Sequence, residues 1–542
     1  MKRIAFLLLA AIMASHGMSA PARGGWKNIV LDDGSIVKVK LVGDEFCHYY
    51  ITEDGKTIGD TTQRKSVNRS DIMKANTRST SSDPIATPGK KKQLVLLMEF
   101  ADKTFMGDDA YNHWNAALNT GKLIQTKEHG SLHQYFIDQS HGIFDVDFDI
   151  YGPFTAEYGY EHYGKNGNNG FDKIPGDLVV EGLKAIEGKV NLSDYDWDGD
   201  GNVEQVVVIY ASAGENDSSV QNYGYDNPAN LIWPHQYYLE YATTDKKNYT
   251  YEGISVSSYC ILNHEFRGEI DGFGTFAHEY SHCLGLPDFY QTDGSPHGKD
   301  NFGNYDSLAK GCFNGDSWCP ANYTAFEKYS LGWYEPLTLT EPTTIDGLQP
   351  MSEGGEAYFI NNDGNANEFY MLENRLKSGW DTYIPGEGLL VTHYDYDDMA
   401  WRENTINNIA NHQRATIIPA SNNTIASQFP YPYVAKNLDG TEEILNDCLT
   451  DDSKPAAMVF NKNVNGTNLM GKPLTNIRRD ADGLISFDFM GGTSDIRGIM
   501  ADSDPTDLEY FDLQGRKVSV PSRGIYIIRN KKTNKTYKSS FN

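Results

Sequence analysis

Residues 278–288 read His-Glu-Tyr-Ser-His-Cys-Leu-Gly-Leu-Pro-Asp. On a helix, His278 and His282 stand one above the other on the same face. Two neutral imidazoles so placed can hold one Zn2+ at about 2.0–2.1 Å, with positions left for a third ligand and a water. Glu279 follows the first histidine, where its carboxylate can reach that water and take its proton. The spacing supplies a Lewis acid and a general base. The competing reading is a core helix with two satisfied histidines.

The flanking residues fit a short helix closed by a turn. Gly272 and Gly274 precede it, and Phe273, Phe276, Ala277, Tyr280, Leu284 and Leu286 can pack one side while the histidines face a cleft. Gly285 suits a left-handed helix end and Pro287 stops continuation, so the turn brings Asp288 back as third ligand. Tyr290, Tyr305 and Tyr323 are near enough in sequence to offer a hydroxyl to the oxyanion of a hydrolysed carbonyl, although packing is the default for any tyrosine in so tyrosine-rich a chain.

A second set of oxygen donors lies upstream. Asp196, Asp198, Asp200, Asn202 and Glu204 alternate around Gly199 and Gly201, an arrangement that suits Ca2+, which takes six to eight oxygens. Starting the loop at Asp196 puts Gly201 at the sharp turn, but Val207 stands where an EF-hand has its last glutamate. The expectation is an EF-like loop without the second helix, leading into a buried strand at Val206–Tyr210. A solvated acidic turn is the alternative.

Length and charge set the wider frame. The chain has 542 residues, enough for about three or four domains, and a net charge of −27 from 74 acidic against 47 basic residues. That balance argues against nucleic-acid binding, and no segment past the start is apolar enough for an integral membrane span. Lys2 and Arg3 before the apolar stretch 4–14, then Ala20 and Ala22, read as a secretory signal over residues 1–22 and place the protein outside a bacterial cell or on its surface. Residues 23–64, with a strand at Ile36–Val42, read as a pro-segment. Its Cys47 is either a zinc-capping thiolate or an ordinary buried cysteine. Residues 65–92 are a polar linker and the expected activation site. Cys312 and Cys319 are spaced to allow a disulfide, although the six cysteines leave the pattern open. From residue 340 to 495, short strands at 357–360, 368–373, 388–393 and 415–418 predict a β-rich, sandwich-like module. In it, His393 is more readily structural than a metal ligand.

The chain also resembles the M6 metallopeptidases, the immune-inhibitor-A-like secreted bacterial proteases, over roughly residues 93–400. The likeness rests on His278–Asp288, on Gly130–Phe136 with Ser140-His141-Gly142 and Gly152-Pro153, on Asp196–Tyr210, on Ile232-Trp233-Pro234-His235 and on Ser330-Leu331-Gly332-Trp333. It implies a metzincin-like zinc endopeptidase domain over 93–339, with a mixed sheet and an active-site helix. The carried-over roles fall on His278, His282 and Asp288 as zinc ligands and Glu279 as base. One departure stands at Asn304–Gly311, where Leu308 occupies the expected methionine position of a turn beneath the ligands. A Leu/Met exchange in a packed floor costs less than about 1.5 kcal/mol. Residues 496–542 resemble the carboxy-terminal tails of secreted Bacteroidetes proteins, which implies a sorting signal; a hairpin docked on the preceding module is the alternative.

The expectation is therefore an α+β fold with a β-rich module behind it, catalytic Zn2+, structural Ca2+ and protein or peptide substrates. The oligomeric state is left open. The competing function is a surface binding protein with a protease-like domain that has lost turnover.

Overall fold

The computed structural model describes residues 18–23, 25–31, 35–44, 47–53, 56–58, 87–121, 127–167, 170–293, 302–437, 441–492, 508–519, 524–531 and 536–541. Residues 1–17 of the expected 1–22 signal and most of the expected linker lie outside them, as does the side chain of Cys47. Among the described residues no helix is long and apolar enough to cross a membrane.

The chain first forms β1 (Met18–Ser19), then the hairpin of β2 (Ile36–Asp44) and β3 (Cys47–Thr52). A central sheet follows, from β4 (Gly89–Glu99), β5 (Phe144–Thr155), β6 (Val206–Ala213), β7 (His235–Tyr238) and β8 (Ser258–Phe266). Its order is β1-β7-β8-β6-β4-β5. The four strands from β8 to β5 are parallel, and β7 runs antiparallel at the edge, where β1 pairs with it. Strand β6 is buried along its whole length, as a central strand covered on both faces must be.

Alternation along β4 and β6 divides the interior. Val95, Leu97, Val207 and Ile209 face one core, and Leu94, Leu96, Val206 and Val208 face the other. The first core receives α1 (Leu132–Gln139) and α3 (Gly274–Cys283); the second receives α2 (Pro175–Ala185). A short α4 (Ala325–Ser330), closed by a Thr324–Glu327 capping box, leads out of the first core.

Beyond it, the strands Leu337–Thr338, Tyr358–Asn362, Asn365–Arg375, Gly388–Asp395 and Ala415–Ile417 make a five-stranded sheet. One face (Phe359, Phe369, Met371, Leu390, Tyr394) joins the core around α3. The other (Tyr358, Ile360, Tyr370, Leu372, Leu389, Val391) packs against Leu348, Leu474, Ile485 and Phe487 of a three-stranded sheet. The fold is α+β and rich in strands. The tail forms its own four-stranded sheet, including Leu508–Phe511 and Gly524–Asn530.

One expectation is corrected. Cys312 and Cys319 are both free and buried. The fold turns the Cys312 thiol to the Ala309 carbonyl and the Cys319 thiol to that of Trp380, 3.4 Å away, so the pair does not meet.

Two buried histidines are locked neutral. Trp114 Nε1, which can only donate, bonds His264 Nδ1 at 3.1 Å, and His264 Nε2 donates to the Met106 carbonyl. His235 Nδ1 donates to the Trp233 carbonyl, leaving Nε2 to accept from Tyr259. Burial pushes both pKa values from 6.5 down to about 4. Between these limits the unfolded chain binds protons that the folded chain excludes, so stability falls on acidification through that window, by up to about 3 kcal/mol per histidine. Thermal unfolding followed from pH 7 to pH 4 will show this loss, and His264→Gln will make the profile shallower.

Candidate metal centre

Helix α3 begins where no side chain fits. A Cβ on Gly274 would lie 1.8 Å from the Cys312 carbonyl oxygen, and one on Gly272 would lie 2.2 Å from that of Ser317. The two glycines let the segment 311–318 lie flush against the helix start. The helix closes with a Schellman turn: Gly285, at φ 104°, donates to the His282 carbonyl, and Leu286 donates to that of Ser281. That turn reverses the chain and delivers Asp288.

The result is a convergence of three donors. His278 Nε2 lies 3.2 Å from His282 Nε2 and 3.2 Å from Asp288 Oδ1, and His282 Nε2 lies 3.4 Å from the same oxygen. Both imidazoles spend their Nδ1 hydrogens on backbone carbonyls, His278 on Ser307 at 2.7 Å and His282 on Leu286 at 2.8 Å. Their Nε2 lone pairs therefore face each other and a carboxylate oxygen that has no hydrogen-bond partner. Lone pairs so arranged repel unless a proton or a metal cation lies between them. A tetrahedral ion with bonds of about 2.0–2.1 Å spaces its ligand atoms by about 3.3 Å, which is the spacing found. The residues fit zinc.

All of this is closed to solvent: His278, Glu279 and Asp288 have no exposed surface. With no metal, burial would push the His278 pKa down, but Asp288 and Cys312 outweigh it and hold it well above the usual imidazole value. Glu279 is buried one residue beyond His278, and its charge acts on Tyr290 and Cys312. Of the three tyrosines, Tyr290 lies beside a ligand ring: it stacks on His278 with centroids 6.4 Å apart. Tyr305 bonds the Ala426 carbonyl and Tyr323 bonds Ser281, both as packing groups. Leu308 is fully buried in the floor, and the turn carrying it supplies the Ser307 carbonyl under His278.

Asn404 was not foreseen. It donates from Nδ2 to Asp288 Oδ2 at 2.7 Å and accepts from the Asp288 backbone N–H at 2.8 Å, fixing the carboxylate from both sides. It lies 116 residues downstream, and no local pattern marks it.

At the second expected site the ligand atoms of Asp196, Asp198 and Glu204 lie within 4.8 Å of one another. Asp196 also accepts from the backbone of Gly199, Asp200 and Gly201. Asp200 does not join this group; its carboxylate bonds Asn202 instead. Burial, ahead of the repulsion from Asp198 and Asp196, raises the Glu204 pKa to about 7. Another group of possible donors, His133, Asp145 and Asp147, is half exposed, and Lys90 already pairs with Asp147. His393 bonds Glu368 at 2.8 Å within the β-rich module.

Comparison with known proteins finds a family model over the segment that holds the centre. Residues 85–335 match the family model "Immune inhibitor A peptidase M6, catalytic domain". This segment is similar to the catalytic domain of the M6 peptidases. Immune inhibitor A of Bacillus thuringiensis subsp. alesti is 29% identical over 39% of this chain and 35% of its own length. Pre-pro-metalloprotease PrtV of Vibrio cholerae serotype O1 is 28% identical over 30% of this chain and 19% of its own. The chain thus spans about a third or less of the curated relatives it matches. The described centre, residues 278–288, falls inside the matched M6 domain.

Asn404 gives the centre a direct check. Asn404→Ala will weaken zinc binding by about 10- to 100-fold, as loss of a residue that orients a ligand does. Competition with a chromogenic chelator will measure it.

Proposed function

We propose that this chain is a secreted zinc-dependent endopeptidase with a metzincin-like catalytic domain and a sandwich-like β module behind it. The observation that carries the reading is the triangle of His278, His282 and Asp288 ligand atoms, aimed at one point. When bound, zinc supplies a Lewis acid that lowers the pKa of its water toward about 7.

The chain's own residues do the rest. His278, His282 and Asp288 hold the metal, and Asn404 keeps the carboxylate in register. Glu279 takes the proton of the attacking water and returns it to the departing amine as the peptide bond breaks. Tyr290 is placed to donate its hydroxyl to a peptide carbonyl, as it does here to that of Ser19 at 2.6 Å. The intact Glu279 counts against a protein that has kept the scaffold and lost turnover.

The precursor is latent on this reading. The expected pro-segment lies against the catalytic domain: Arg23 pairs with Asp271, and His48 of the β2–β3 hairpin stacks on Trp233. With it in place the metal ligands are sealed. The name pre-pro-metalloprotease borne by the Vibrio relative agrees with a signal followed by a pro-segment. Asp196, Asp198 and Glu204, with Asp200 and Asn202 beside them, form a structural calcium loop that stiffens the approach to β6. The tail beyond residue 496 acts as a sorting signal for export to the cell surface.

Digestion of an unfolded protein tests the central step. Glu279→Gln will retain zinc and lose at least about 100-fold in rate, the contribution expected of a general base; a chelator will abolish the wild-type rate. Equal digestion by both proteins would exclude Glu279 as the base. For the loop, calcium will raise the wild-type melting temperature, and Asp196→Ala combined with Asp198→Ala will remove that increment.

A further inference from the structure

The N-terminal segment places one side chain with unusual care. Arg23 is 6% exposed, and its Nη1 bridges both carboxylate oxygens of Asp271 at 2.6 and 2.7 Å. Its guanidinium carbon stands 3.4 Å from the ring centre of Phe266 and 4.9 Å from that of Phe313. Asp271 is not a loose surface acid. It is buried, and it is held in orientation by the Gly272 backbone N–H and by Asn263 Nδ2. It stands immediately before the helix that carries the metal ligands.

In the chain as translated, with residues 18–22 of the expected signal still attached, the backbone leading to Arg23 is laid out as a bound peptide would be. Met18 and Ser19 pair antiparallel with Gln236 and His235 on the sheet edge, the Ser19 carbonyl accepts from Tyr290, and Ala20 bonds the Pro234 carbonyl. The same run of chain therefore passes the metal centre and ends with its arginine in an acidic, aromatic pocket. Burial raises the pKa of the Cys312 thiol, the neighbour of His278, and the charge of Arg23 offsets a part of that rise. With the N-terminal segment gone, Asp271 still has its bonds from Gly272 and Asn263 but no cation, and a buried carboxylate beside rings that had stacked on a guanidinium calls for another.

We propose that Asp271, Phe266 and Phe313 form a subsite that selects an arginine side chain in the peptides this enzyme cuts, and that Arg23 fills it in the uncleaved chain. The proposal rests on the endopeptidase reading and adds the substrate class. Stacking on Phe266 favours the flat guanidinium over the lysine ammonium.

The test uses the enzyme released from its N-terminal segment by a cut in the linker. Sequencing the products of a peptide mixture will show arginine enriched at one fixed distance from the cut bond. A peptide carrying arginine there will be cleaved at least about tenfold faster than its twin carrying uncharged citrulline. Asp271→Asn will erase that difference. Equal rates for the two peptides on the unaltered enzyme, a comparison that needs no variant to fold, would overturn the proposal. Fluorescence anisotropy of the same peptides on the linker-cut Glu279→Gln protein separates the two readings. Arginine binding at least about tenfold tighter than citrulline supports the subsite even if nothing is ever cut, and equal affinities overturn it whatever the activity.

Discussion

Everything in this molecule turns on an electrostatic conflict that the chain alone does not resolve. Two imidazole lone pairs and one carboxylate oxygen are held 3.2–3.4 Å apart in a site sealed from water. Each imidazole has committed its other nitrogen to a backbone carbonyl, so only a proton or a metal cation at Nε2 relieves the repulsion. A divalent cation converts the mutual repulsion into coordination, and the surrounding shell only has to keep three directions fixed.

That shell explains why the β-rich module is more than an appendage. Asn404, which orients Asp288, comes from it. So does Arg375, whose guanidinium pairs with Asp381 and donates to the carbonyls of Tyr305 and Asn322. Tyr305 lies two residues before Ser307, whose carbonyl aligns His278. A buried cation in the module thus braces the turn beneath His278, and the aromatic face of Phe359, Phe369 and Tyr394 continues the core around α3. Ligand geometry and module docking are two aspects of one packed interior.

The parts of the site legible in the sequence were those fixed by local geometry. Four-residue spacing on a helix sets His278 against His282, and a glycine with positive φ ends that helix wherever it occurs. Strand β6 was legible for the same reason, since an unbroken apolar run has few other uses. What stayed hidden is closed by tertiary structure: the Ser307 carbonyl, Asn404 and the pairing of Arg23 with Asp271, separated by 29, 116 and 248 residues. Cysteine spacing misled, because seven residues permit a disulfide but do not aim the thiols. The acidic loop was legible only in part. Alternating carboxylates are visible in the sequence, whereas Asp200 turning to Asn202 is a choice of side-chain rotamer.

X-ray absorption at the zinc edge on the purified chain addresses the central claim most directly. Two imidazole nitrogens and oxygen ligands at about 2.0–2.1 Å, with no sulfur in the first shell, are the predicted spectrum. A zinc–sulfur distance near 2.3 Å, or a chain that takes up no zinc at neutral pH, would contradict the account.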